Sequence, residues 1–222
     1  MVHVGIFHVG PENPYIELCA KSVERLGYKP VLLTDHKTVS TVDSFRKDIA
    51  GELMVKNVAL QLEFLKERER VLFIDSDVLI LKDVLHVFER MDRKGCSLGL
   101  TWRDKRQFPI NYGVIFATNK AVPFFEFLLK NVKSQAEDRR KWYANQFAVL
   151  DLFPEELKKK IGRFEVHQTD FGNILMLPGR KYNFSPEKEH KITDQFIVHF
   201  KGERKSFMQG AYSRLCEHSL QE

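Results

Sequence analysis

The sequence predicts an α/β chain built on one mostly parallel central sheet flanked by helices. Three observations carry that prediction. The first third alternates a β-rich run, a segment of helical periodicity and a second β-rich run, the order of a βαβ unit whose right-handed crossover joins parallel strands. Residues 71–74, Val-Leu-Phe-Ile, are apolar throughout, which marks a strand covered on both faces and makes this run the expected central strand. The chain has 222 residues, 43% hydrophobic and 29% charged, enough for a full core without a disulfide or metal staple. It shows no repeat, low-complexity tract or Pro/Gly-rich linker, so a single domain over residues 1–222 is expected.

Taken in order, residues 2–7 read as a strand, and residues 15–26 as a helix with Ile16, Cys19, Ala20, Val23 and Leu26 at helical spacing, stopped by Gly27. A second strand over residues 29–33 ends at Thr34 and Asp35. After a polar linker at 36–44, residues 49–66 place Leu53, Lys56, Leu60 and Phe64 on one helical face ahead of the 71–74 strand. A short helix is expected over 84–91, strands over 97–101 and 114–118, and a Phe-dense helix over 121–132. Residues 142–153 form a further amphipathic segment stopped by Pro154. Short strands follow at 162–166, 174–177 and 196–200, with a last helix over 206–220.

Composition narrows the class. Thirty-five Lys and Arg against thirty Asp and Glu leave a formal net charge of +5, compatible with a phosphate-bearing ligand and too weak to imply nucleic acid. The basic stretch at 130–141 contains Glu137 and Asp138 and reads as a solvated helix end. Cys19, Cys96 and Cys216 are odd in number and far apart, so reduced thiols and a cytoplasmic location, or a peripheral one at a membrane, are expected. No uncharged apolar run approaches the ~20 residues of a transmembrane span, and the strand-like opening leads us to expect no secretory signal.

Two short patterns carry chemistry. Asp75 and Asp77 follow the 71–74 run directly, and ligands of open α/β sheets sit outside the carboxyl ends of the strands. Carboxylates separated by one residue can converge on a divalent cation; their hard oxygens suit Mn²⁺ or Mg²⁺ completed by diphosphate oxygens. The bland alternative is a turn cap or an ion pair with Lys or Arg. The aspartyl-phosphate phosphatases also start from strand plus Asp-x-Asp, but a Thr normally stands where this chain has Leu79. Near the C-terminus, His199 ends a β-rich run, Gly202 follows by three residues and Lys205 by six. Imidazole ligates divalent metals, glycine lets the backbone approach a phosphate, and lysine brings a point charge to it.

Phe73-Ile74-Asp75-Ser76-Asp77-Val78 resembles the metal-binding aspartate motif of nucleotide-sugar-dependent glycosyltransferases of the GT-A (Rossmann-like) fold. His199-Phe200-Lys201-Gly202-Glu203-Arg204-Lys205 resembles the His-x-x-Gly-x-x-Lys element of glycosyltransferase family 8, the glycogenin and lipopolysaccharide galactosyltransferase group. Between them, Asn111-Tyr112-Gly113-Val114 is similar to a segment that approaches the donor sugar, and Asn145-Gln146 to the family's Asp-Gln pair, with Asn145 in place of the Asp. Lys56 is similar in position to a donor-contacting basic residue. Residues 2–9, ending at His8 and Val9, and Thr34-Asp35 match strand ends that hold base and ribose. Asn183, in Tyr-Asn-Phe, resembles a recurrent Tyr-Asn element or caps a turn. The resemblance spans residues 2–207; the family's Pro-Trp after the lysine is Ser206-Phe207 here.

The resemblance implies transfer of a hexose from a nucleotide-diphosphate sugar, a UDP-sugar first, to an acceptor hydroxyl with retention. Asp75, Asp77 and His199 would hold Mn²⁺ or Mg²⁺, Lys205, Gly202, Ser76 and Lys56 the donor, and Gln146 would face the anomeric carbon. The acceptor, glycan, lipid-linked or protein, is open. Inversion would instead need a carboxylate base, with Asp151, Glu155 and Asp170 as candidates. Trp102, Tyr112, Trp142 and Tyr143 are core residues or sugar-stacking platforms. The competing classes are a sugar nucleotidyltransferase, which usually carries a Gly-rich loop that residues 8–11 lack, and a non-catalytic nucleotide-sugar binding protein.

Overall fold

The computed structural model describes residues 2–9, 12–34, 50–104, 108–136, 139, 141, 143–188 and 191–217. The N-terminal βαβ unit is formed by β1 (His3–His8), α1 (Pro14–Glu24) and β2 (Lys29–Thr34), with β1 and β2 paired in parallel. Asn13 caps α1 by accepting from the Tyr15 N–H at 3.0 Å, and Pro14 occupies the first turn, where a missing N–H costs nothing. Gly27 lies beyond the helix end at φ +74°, a conformation that favours glycine.

The chain continues through α2 (Ala50–Lys66), β3 (Arg70–Asp75), β4 (Val78–Ile80), α3 (Leu85–Arg93), β5 (Cys96–Trp102) and β6 (Ile110–Thr118). Then come α4 (Val122–Ser134), α5 (Ala144–Leu150), α6 (Glu155–Lys158), β7 (Val166–Thr169), β8 (Gly172–Pro178), α7 (Gly179–Tyr182) and β9 (Ile197–His199). A 3₁₀ turn over Gly202–Phe207 leads into α8 (Met208–Tyr212) and a π-helical turn at Ser213–Glu217, where one helix was expected.

Seven strands form one sheet in the order β2-β1-β3-β6-β5-β8-β7, and β4 pairs with β9 in a small second sheet. The β1–β2, β1–β3 and β5–β8 pairs are parallel, while β6 and β7 run against their neighbours, so five of the seven strands point one way. The expected central strand is buried on both faces but stands third in the order; the middle position belongs to β6, buried along its whole length. Alternation divides the core across the sheet: Leu72 and Ile74 pack with α1 and α3, and Val71 and Phe73 with α2 and α4. On α2 the buried face is Leu53, Asn57, Gln61 and Phe64 with Met54, Val58, Leu62 and Leu65, so Lys56 and Leu60 lie on its half-buried flank.

Two irregularities shape the region beyond the sheet. Strand β6 starts four residues before the 114–118 segment read from sequence, and its pairing with β5 jumps between Leu100↔Ile115 and Thr101↔Asn111. Across that bulge Ile110 and Tyr112 share a face with Ile115 and Ala117, whereas strict alternation would put them with Val114 and Phe116. The strand expected at 162–166 begins only at Val166; Gly162, at φ +82°, carries the Trp102 ring against its α-carbon and is part of a turn.

Candidate metal and donor site

The parallel strands β1, β2 and β3 end together: His8 pairs with Thr34, and Phe7 with Asp75. Asp75 is therefore delivered to the carboxyl edge of the sheet by the apolar strand behind it. The chain then turns sharply, Ser76 donating its N–H to the Phe7 carbonyl at 3.1 Å and its Oγ lying 2.9 Å from His8 Nδ1. Asp77 precedes β4, whose antiparallel pairing with β9 sets Val78 opposite His199, and the Phe200 N–H donates to the Asp77 carbonyl at 2.8 Å. That small sheet joins segments more than a hundred residues apart in sequence.

His199 Nε2 lies 2.9 Å from Asp77 Oδ1 and 3.4 Å from Asp75 Oδ2, and the ligating atoms of all three residues fall within 4.8 Å of one another. Lys205 Nζ is 3.2 Å from the other Asp77 oxygen. His199 is 4% exposed, Asp77 13% and Asp75 38%, so the group opens to solvent on the Asp75 side. Burial pushes the Asp75 carboxyl above the usual carboxylate range; the charge of Asp77 adds to this and His199 opposes it. Burial would raise Asp77 too, but the charges and hydrogen bonds of His199 and Lys205 hold it well below that range. Two carboxylates, one largely buried and one at the solvent opening, beside one imidazole are a donor set suited to a divalent cation of the Mn²⁺ or Mg²⁺ kind.

Gly113 closes the site from the sheet side. A Cβ there would stand 2.3 Å from His199 Cε1 and 2.6 Å from Asp75 Oδ2, so only glycine fits between the β6 backbone and this pair. Asn111 Oδ1 accepts from the Gly113 N–H at 3.0 Å, and Asn183 bridges Asn111 and His199. Asn183 reaches His199 because Phe184 pairs with β9: the His199 N–H donates to the Phe184 carbonyl at 2.7 Å. Below them, the buried Tyr112 hydroxyl donates to Gln61 Oε1 at 2.6 Å, fastening β6 to α2. Thr101 and Gln61 were not singled out from sequence; a polar residue inside a strand or on the buried face of a helix is the signal that marks them.

The remaining residues singled out from sequence distribute as follows. His8, Val9 and Thr34 lie at the ends of β1 and β2, and Asp35 falls outside the described residues. Lys56 is half-buried on α2, and Gly202 opens the 3₁₀ turn at φ +60°, with Lys205 later in it. Asn145 and Gln146 are both 4% exposed on α5; Asn145 Oδ1 accepts from the Gln146 N–H at 2.9 Å, and Gln146 Oε1 is buried with no hydrogen-bond partner among the described residues. Of the candidate bases, Asp151 is held by Arg139 at 2.9 Å through both carboxylate oxygens, and Glu155 by Lys158. Asp170, in the turn between β7 and β8, is at the opposite edge of the sheet from Asp75. Tyr112 is core, Tyr143 is 47% exposed at φ +87°, Trp102 is half-buried, and Trp142 falls outside the described residues. All three cysteines are buried, and none is in a disulfide among the described residues. No helix among the described residues is long and apolar enough to cross a membrane.

No protein-family model matches the chain, and no curated protein matches its sequence. Solved structures do. The chain is similar to a glycosyltransferase involved in the glycosylation of the major capsid of PBCV-1, with a TM-score of 0.62 and 16% identity over 95% of this chain and 98% of that one. It is also similar to the apo form of the glycosyltransferase GlyE of Streptococcus pneumoniae TIGR4, with a TM-score of 0.54 and 14% identity over 98% of this chain and 63% of that one. Mouse xyloside xylosyltransferase 1 matches with a TM-score of 0.50 and 10% identity over 90% and 98%. The likeness is one of fold: the mixed sheet and its flanking helices are those of the GT-A glycosyltransferases.

Proposed function

We propose that this chain is a metal-dependent glycosyltransferase, acting as one domain over residues 1–222, that moves a hexose from a UDP-sugar to an acceptor hydroxyl with retention. The observation that carries the reading is the convergence of Asp75, Asp77 and His199 at the carboxyl edge of a GT-A sheet, with Lys205 on the same carboxylate. Asp75, Asp77 and His199 would hold Mn²⁺ or Mg²⁺, which when bound supplies Lewis-acid stabilisation of the diphosphate leaving group.

The protein's own groups then have separable tasks. Asp75 and Asp77 provide negative charge in a half-dry site, and the sharp turn at Ser76, tied to His8 and to the Phe7 carbonyl, holds their spacing. Lys205, on the 3₁₀ turn that Gly202 begins, brings positive charge to the diphosphate. His8, Val9 and Thr34, at the ends of β1 and β2, face the nucleoside, and Lys56 approaches from α2. Gln146, whose buried Oε1 has no partner among the described residues, offers its carbonyl to the sugar, with Asn145 beside it. Retention needs no strong base, which accords with the ion pairs of Asp151 and Glu155 and the distant place of Asp170. Arg103 and Asp104 follow β5 at the same edge, where an acceptor would enter.

The test is calorimetric titration of UDP into the protein with Mn²⁺, with EDTA, and with Asp75→Ala and Asp77→Ala combined, followed by a screen of UDP-sugars for sugar release or transfer. Binding that requires both metal and carboxylates, followed by turnover, is the expected result. Binding without turnover on any donor would identify a non-catalytic nucleotide-sugar binding protein. Failure of UDP, GDP and other nucleotides to bind would refute the donor site.

A further inference from the structure

We propose that Asn183, oriented by Asn111, Thr101 and the Gly113 backbone, holds His199 in the tautomer whose bare Nε2 faces Asp75 and Asp77. The inference rests on the metal-site reading above and adds positioning residues to it.

The backbone N–H of Gly113 is unambiguous as a donor, and it points to Asn111 Oδ1 at 3.0 Å. That contact decides which end of the Asn111 amide is the oxygen. The same Oδ1 lies 2.8 Å from the Asn183 amide, and two oxygens cannot share that distance, so the atom facing it is Asn183 Nδ2. Thr101 Oγ1 is also 2.8 Å from Nδ2; its own proton goes to the Asn111 carbonyl at 3.2 Å, which leaves Oγ1 an acceptor. Two independent acceptors thus impose one orientation on Asn183.

The consequence reaches the ring. Asn183 Oδ1 must be the atom 3.0 Å from His199 Nδ1, so Nδ1 carries a proton. In a neutral imidazole the other nitrogen is then bare. Nε2 is the nitrogen aimed at Asp77 and Asp75, at 2.9 and 3.4 Å. A bare lone pair facing two carboxylate oxygens needs a positive centre among them, either a proton on Nε2 or a cation that all three residues ligate. Thr101, Asn111, Asn183 and His199 are all buried, so exchange of these partners for bulk water is costly. Were the Asn183 amide reversed, the neutral ring would protonate Nε2 and lose its ligand capacity, while two donors would be left facing each other or an acceptor facing an acceptor.

Nitrogen-15 NMR of the histidine side chains, with His199 assigned through His199→Gln, reads the tautomer directly. In the Mg²⁺-loaded protein, and in the metal-free protein wherever the spectrum itself reports a neutral ring, Nδ1 is expected to be protonated and Nε2 bare. Combining Thr101→Val with Asn111→Leu removes both acceptors; Nε2 then gains the proton, and Mn²⁺ affinity measured by calorimetry falls about 10–100-fold. Asn111→Asp supplies acceptors only and keeps the wild-type tautomer, which guards against a double variant that fails to fold. A protonated Nε2 on the neutral wild-type ring overturns the proposal, as does an unchanged tautomer in a folded double variant. A wild-type protein that takes up neither Mn²⁺ nor Mg²⁺ while showing the Nδ1–H tautomer refutes the metal reading and leaves the orientation of His199 standing.

Discussion

Replacing Gly113 with alanine places a methyl carbon 2.3 Å from His199 Cε1, 2.6 Å from Asp75 Oδ2 and 2.8 Å from His199 Nδ1. To reach an ordinary contact of 3.4 Å the imidazole must retreat by about 1.1 Å, from 2.3 Å, and the Asp75 carboxylate by about 0.8 Å, from 2.6 Å. Neither is free to do so. The ring is tied through Nδ1 to Asn183, and its backbone to β4 and to Phe184, while Asp75 sits at the end of a buried strand. The strain is therefore shared between a displaced ligand set and a shifted β6 backbone, costing about 1–3 kcal/mol of stability as overpacking does. A misplacement near 1 Å at such a site costs on the order of 100-fold in function. Titration of UDP in the presence of Mn²⁺, beside a thermal melt, measures both quantities for Gly113→Ala. Loss of about two orders of magnitude in metal-dependent UDP affinity, in a protein that still melts cooperatively, is expected. Affinity equal to that of the wild type would refute the reasoning that Gly113 is glycine to make room for these ligands.

Asp77→Asn should abolish metal-dependent UDP binding while the far-ultraviolet circular dichroism stays native, because asparagine keeps the side chain's shape and one hydrogen-bonding oxygen and the residue lies beyond the packed strand; a collapsed spectrum would instead make Asp77 a structural residue. Lys205→Ala should weaken UDP by more than it weakens uridine, since the lost charge meets phosphate; equal losses in the two titrations would count against that role. Mn²⁺ at about 100 times its dissociation constant should stabilise the wild type by about 2.7 kcal/mol, and the rise in Tm should vanish when Asp75 and Asp77 are both changed to alanine. His167 supplies a pH dependence remote from the site: burial depresses its pKa, its ring is 4% exposed between Phe153 and Phe164, and Nε2 has no partner among the described residues. Its neutral form favours the fold, so this stability is present above pH about 6.5 and is lost as pH falls through the lowered native value; Tm against pH should flatten on its acid side in His167→Gln, and an identical acid limb would contradict this.

Much of the sheet was legible because its strands announce themselves by composition. Residues 71–74 are apolar on both faces because both faces are covered, and β1, α1 and β2 follow from periodicity and from Asn13, Pro14 and Gly27 at the boundaries. The parts that misread are those where local pattern and tertiary pairing disagree. Strand β6 begins at Ile110, yet Asn111 and Gly113 look like loop residues, and a bulge against β5 is what keeps them in the sheet and turns them toward His199. Strand β4 is three residues long and gains its identity only from β9, its partner near the other end of the chain. Asp170 stood with Asp151 and Glu155 as a candidate base, but strand direction sets it at the opposite edge from Asp75.

The two motifs, the residue types able to ligate a divalent cation and the apolar strand that presents Asp75 were all set by the sequence alone, since each is written within a few consecutive positions. What only the tertiary structure decided is the meeting of Asp77 with His199 through the β4–β9 pair, and the meeting of His199 with Asn183, Asn111 and Thr101. Those contacts join residues that share no local pattern. The backbone hydrogen bonds of two separate sheets carry them to within about 3 Å of one another, and burial then forces each polar group to find its partner among the others.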